Sequence, residues 1–107
     1  MNDVTFLEAG RFLGQRMIKD GGAGDAARLR YGFRLATGRW PGAKEEQILG
    51  DSLRFHRDYF AGKPERIKEY LSDGESPPDP AIEPRELAAY AAVGSLLLNL
   101  DETVTKE

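Results

Sequence analysis

The sequence predicts an all-α fold: a compact bundle of about five helices, with the C-terminal helix at the centre and a proline-rich loop leading into it. Three observations predict this. Apolar residues recur at helical spacing in five segments, each bounded by glycine or proline. Strand-like alternation is absent. The segment from Leu87 to Leu100 is apolar around most of its circumference, as befits a helix packed by neighbours on several sides. A chain of 107 residues suits one domain around one core, and a composition of 40% hydrophobic and 31% charged residues lies far from that of disordered chains.

The first helix is expected from about Asp3 to Asp20, with Phe6, Gly10, Leu13 and Met17 inward and Glu8, Arg11, Gln15 and Lys19 opposite. Gly21-Gly22-Ala23-Gly24 ends it, because glycine accepts the positive φ of a helix C-terminus. A phosphate-binding loop is the other reading of that run, but no strand precedes it and no Gly-Lys-Ser/Thr follows. The second helix spans about Asp25 to Thr37, with Leu29, Gly32, Phe33 and Ala36 inward and Arg30 and Arg34 one turn apart on another face. Gly38 caps it, and Pro41 prevents continuation.

The third helix starts near Gly42, with Glu45 and Glu46 in its positive first turn, and reaches about Ala61. Its expected buried rows are Ile48, Ser52, Phe55 and Tyr59 beside Leu49, Leu53, His56 and Phe60. Gly62 closes it, and Pro64 opens a short fourth helix through about Ser72 that turns Ile67, Tyr70 and Leu71 inward. Four of the six prolines fall between residues 75 and 84, which predicts an extended, preorganised loop pinned by Ile82. Glu83-Pro84-Arg85-Glu86 has the form of a helix start, so the fifth helix is expected from about Pro84 to Asp101.

Chemistry is restricted by what is missing. With no cysteine, disulfides, Cys-based zinc sites, thiol nucleophiles and covalently attached c-type haem are excluded. The N-terminus lacks the basic start and apolar run of a secretion signal, and the longest weakly polar stretch is too short to span a membrane. A net charge of -3 is too acidic for a general nucleic-acid binder, and only the Arg30/Arg34 face favours a weak one. Charge is uneven: residues 11 to 39 hold seven basic against two acidic groups, and residues 72 to 107 hold two against eight.

No catalytic, cofactor-binding or metal-ligating set is recognised. His56, the only histidine, sits between Leu53 and Phe60 on an apolar row and reads first as a half-buried ring with one satisfied nitrogen. The adjacent pairs Glu45-Glu46 and Asp101-Glu102 diverge by about 100° on a helix, which suits end electrostatics better than paired catalysis. Acids at a helix C-terminus oppose its dipole, so Asp101 and Glu102 are expected to take an arginine partner from Arg30, Arg34 or Arg39. Asn99 is expected as a structural lock beside them. Trp40, in a loop next to Arg39, is the aromatic residue to test for exposure.

Several segments together resemble one family. They are Asn2-Asp3 and the Phe6 to Met17 helix, DAARLRYGFRLATGR from Asp25 to Arg39, GESPPDP from Gly74 to Pro80, ELAAY from Glu86 to Tyr90, and the run from Leu97 to Glu107 containing LLNLDE. In this order they resemble the C-terminal end of the planctomycete-type domain of unknown function, family 1553. Gly42-Ala43 and Tyr90 depart from the usual Thr-Pro or Ser-Pro cap and the frequent tryptophan. The resemblance implies a C-terminal piece of a larger exported protein, in the periplasm or cell envelope, whose other domains often include a haem-bearing cytochrome.

The expected function is therefore a non-catalytic helical interaction or scaffolding module, contacting the rest of its parent or another protein through Arg30, Arg34, Arg39, Trp40 and the proline-rich loop. The alternative is an accessory domain of an exported hydrolase or haem-containing redox protein whose active site lies outside this chain. No cofactor within the chain is expected.

Overall fold

The computed structural model describes residues 4–72, 74 and 76–105, with the side chains of 4–6 and 101–105 excepted. Five helices follow in order: α1 (Val4–Asp20), α2 (Asp25–Thr37), α3 (Ala43–Phe60), α4 (Pro64–Leu71) and α5 (Pro84–Thr105). Among the described residues there is no strand, and no helix is long and apolar enough to cross a membrane. The radius of gyration, 13.0 Å, matches the roughly 13 Å of a compact chain of about 100 residues.

α5 is the central element and touches each of the other four helices. Leu87, Ala88, Ala89, Tyr90, Ala91, Val93 and Leu97 are all buried on it, so apolar side chains cover most of its girth. Its most extensive partner is α1. Small residues make that crossing close: Gly14 of α1 lies against the backbone of Tyr90 and Ala91, and Gly94 of α5 against the backbone of Gly10. α5 also runs beyond the expected Asp101 to Thr105, because Asn99 to Thr105 contain no glycine or proline to stop a helix.

Two apolar clusters form along α5. Met17, Leu29, Phe33, Leu49, Leu53, Tyr90, Val93 and Leu97 join α1, α2 and α3 to it. At its N-terminal end Phe60, Leu71, Leu87 and Ala88 gather Ile67, Tyr70 and Ile82, which seats α4 and the proline-rich loop. Gly38 ends α2 with φ of 83°, its N–H bonded to the Arg34 carbonyl, which is the expected glycine cap.

Two local expectations are overturned. Of the two rows on α3, only Leu49, Leu53 and Phe60 enter the core, whereas Ile48, Phe55 and Tyr59 are exposed. The reason is geometric: α2 and α5 supply most of the packing on α3, and the short α4 meets only its C-terminal end, so the second row is left mostly uncovered. Conversely, Arg11 on the polar row of α1 is only 2% exposed.

That polar row is the seat of the proline-rich loop. Arg11 donates to the Ser76 carbonyl at 2.5 Å, Glu8 accepts the Ser76 N–H at 2.9 Å, and Gln15 accepts the Asp79 N–H at 3.2 Å. Lys19 donates to Asp79 at 2.7 Å, and this ion pair lowers the Asp79 pKa while raising that of Lys19. A loop outside helix or sheet needs partners for its backbone groups, and side chains of α1 supply them.

Candidate functional site

Two places on this frame bring together chemically competent side chains. The first is the corner where α2 turns into α3. Gly38 reverses the chain, leaving Arg39, Trp40 and Pro41 as the connector, and Trp40 is 56% exposed. The guanidinium carbons of Arg30 and Arg34 lie 5.7 and 5.2 Å from the centre of the Trp40 ring, within cation–π range. One turn of α2 separates the two arginines, so both reach the same indole.

Among the described residues the acids paired at this corner are Glu45 and Glu46. Arg39 forms a two-point bond with Glu45, at 3.0 and 2.7 Å, and lies 5.0 Å from the centre of the Phe33 ring. Glu45 also accepts the Gly42 N–H at 2.8 Å, fastening the first turn of α3. These bonds, with that to Arg39 the larger, hold the Glu45 carboxyl down at about 2. Arg30 has a looser ion pair with Glu46, at 3.7 Å. Arg34 has no carboxylate partner among the described residues.

Asp101 and Glu102 fall in the last turns of α5, and their side chains lie outside the described residues, as does the expected arginine clamp on them. Asn99 is on the exposed side of α5.

The second place is a cleft of about 410 Å³ between α3, α4 and α5, lined by His56, Tyr59, Arg66, Glu69 and Tyr70 above Phe60 and Ala92. His56 Nδ1 is 2.8 Å from the Ser52 carbonyl. A carbonyl only accepts, so Nδ1 carries a proton, and Nε2 is the nitrogen left to the cleft. Arg66 donates to the Tyr59 hydroxyl at 3.1 Å. The Phe55 ring meets His56 edge-on at 5.1 Å. The cleft thus joins His56 to one acid, Glu69, and not to the pair that general acid and base catalysis on opposite sides of a bond would use. Among the described residues no group of three metal-ligating side chains occurs.

A third constellation went unread in the sequence and is architectural. Arg57, in the last turn of α3, donates to Glu86 at 2.7 Å through both Nε and Nη2 and to Asp25 at 3.0 Å through both Nη1 and Nη2. The buried Tyr90 ring sends its hydroxyl to the same Asp25 at 2.6 Å. Arg57 therefore locks the first turns of α2 and α5 to the end of α3. It depresses the Asp25 pKa, whereas burial, aided by Asp25, raises that of Tyr90. A signal existed: acids in two first turns and a base in one last turn are each placed for a helix dipole. Their convergence was not in the spacing.

The fold and these sites define a small all-α domain with an exposed cation and aromatic corner. Comparison with models of known protein families, with curated proteins and with solved structures finds no match.

Proposed function

We propose that this protein is a non-catalytic helical interaction module that docks a carboxylate-bearing segment of a partner on the Arg30, Arg34 and Trp40 corner. One observation carries the reading: Trp40 is largely exposed beneath two guanidinium groups, and one of them, Arg34, has no acid among the described residues. An exposed indole is a large, rigid contact area, and arginine and tryptophan are over-represented among residues that dominate binding energy. Arg39 fits a different role in this reading, since Glu45 already occupies its fork.

The ordered motifs from Asn2 to Glu107 support placing the module at the C-terminus of a larger exported protein similar to family 1553, with the periplasm or cell envelope as its location. The partner is then the remainder of that parent or a second protein. Co-purification of the full-length parent, unchanged and as Arg34→Glu or Trp40→Ala, tests this. The expected result is a partner retained by the unchanged protein and lost by both variants, with the helical circular dichroism unaltered. Equal retention by all three overturns the docking reading.

The His56 cleft favours a second reading, an accessory domain that lends a ring nitrogen to a site completed by another chain segment. It is tested by His56→Gln in an active parent, where a fall in kcat without loss of folding would support it.

A further inference from the structure

Under the proline-rich loop lies an apolar trough that neither place described above includes. Its larger part, about 560 Å³, runs between α4 and the start of α5, with Ile67 and Leu71 as its floor and Pro64, Pro78 and Pro84 as its walls. A smaller part of about 220 Å³ shares Leu71, Pro78 and Pro84 and continues to Ile82 and Leu87. Proline fixes φ, so these walls resist collapse, and a trough held open in advance loses little free energy in ordering when filled.

Charge on the rim selects the occupant. Glu83 is committed to the start of α5, accepting the N–H groups of Arg85 and Glu86 at 3.0 and 3.2 Å. Asp79 is committed to Lys19 and to the Ala81 N–H, at 2.7 and 2.9 Å. The Ser72 hydroxyl donates to the Glu69 carbonyl at 2.9 Å. Lys68 remains, an exposed ammonium with no carboxylate in ion-pair range among the described residues. Glu83 keeps its negative charge but spends both carboxylate oxygens on the helix start, so Lys68 is the rim charge that no hydrogen bond or ion pair among the described residues engages, and it is positive.

We propose that the trough holds the alkyl chain of a free fatty carboxylate whose head group pairs with Lys68. Lysine suits this as a compact point charge on a flexible stem that lies along apolar surface. The site does not rest on the docking corner, which belongs to α2 and the α2–α3 connector.

The test titrates the intact chain with decanoate below its micelle concentration and follows the Ile67, Leu71 and Ile82 methyl resonances. Saturable shifts confined to these methyls are expected, with decanol weaker and decyltrimethylammonium weakest. Lys68→Glu, an exposed substitution, should weaken decanoate by about fivefold to tenfold, the scale of losing one exposed ion pair and gaining repulsion, and leave decanol unchanged. Absence of saturable shifts in the unchanged protein overturns the site. Equal binding of the cationic amphiphile, or decanoate affinity indifferent to Lys68→Glu, overturns the head-group assignment. Binding to anionic phosphatidylglycerol vesicles without binding of monomeric decanoate would make the trough a membrane contact instead. Self-association that shifts the same methyls without ligand would make it a contact between copies.

Discussion

Substituting Gly14 by alanine separates two opposed effects cleanly. Placed in a helix interior, alanine is favoured over glycine by about 1 kcal/mol, so a helix with room for the methyl would be stabilised. At Gly14 the added Cβ would lie 2.7 Å from Ala91 N, 2.8 Å from the Tyr90 carbonyl carbon and 2.9 Å from Ala91 Cα. Comfortable carbon contacts begin near about 3.5 Å, and all three atoms are backbone of α5, so no side chain can swing aside. α1 would have to withdraw by nearly 1 Å along the most extensive helix contact in the molecule. Overpacking of this kind costs up to about 3 kcal/mol, leaving a net loss of about 2 kcal/mol after the helix gain. For a domain of this size that lowers Tm by roughly 10 °C or more. Gly50 of α3 is the control, because its added Cβ would meet nothing closer than an Arg54 guanidinium nitrogen at 3.7 Å. Gly50→Ala should raise stability by up to about 1 kcal/mol. Urea denaturation followed by helical circular dichroism measures both. A Gly14→Ala protein as stable as the unchanged one would refute the close crossing of α1 and α5.

Arg57→Met should cost about 2 kcal/mol in the same assay, between the roughly 1 of an exposed pair and the 3 or more of a fully buried one, because Arg57 is partly covered and holds two acids. Its pH dependence follows from Asp25, whose folded pKa lies below the ordinary 3.8. The stability this acid adds is complete above that value and is lost as pH falls through its folded pKa, so the acid limb of the stability curve should flatten in the variant. Glu45 should titrate by carbon-detected NMR near about 2 and move back toward its ordinary 4.5 in Arg39→Ala, and an unchanged midpoint would remove the Arg39 fork as the main cause. Trp40 is the only tryptophan, so, with each ion's quenching scaled to that of free tryptophan, its fluorescence should be quenched more by iodide than by caesium, because Arg30 and Arg34 attract the anion. Arg34→Glu should shrink or reverse that preference, and equal quenching by both ions in the unchanged protein would contradict the exposed cationic corner.

Helix identity was legible in the residues themselves. Gly21 to Gly24, Gly38, Pro64 and Pro84 act through local backbone preferences, and each stands at a helix boundary. The central role of α5 was legible too, since a helix apolar on all sides must be covered on all sides. Trp40 stood out because a large ring in a connector beside Pro41 has no helix to bury it.

Tertiary structure decided the remainder. The pattern marks a residue as apolar or polar, whereas burial depends on which neighbour arrives. Ile48, Phe55 and Tyr59 read like core and lie exposed because only the short α4 reaches that row, at its Tyr59 end. Arg11 reads like surface and is buried because the loop at Ser76 needed a donor. The Arg57 hub draws on residues 25, 57 and 86, separated by about thirty positions each, and the Arg39 fork closes on Glu45, which the sequence pattern places only at a helix end. Local propensity acts within a few residues and is written in the chain. Partner choice at a distance is settled by which surfaces the packed helices bring within hydrogen-bond reach.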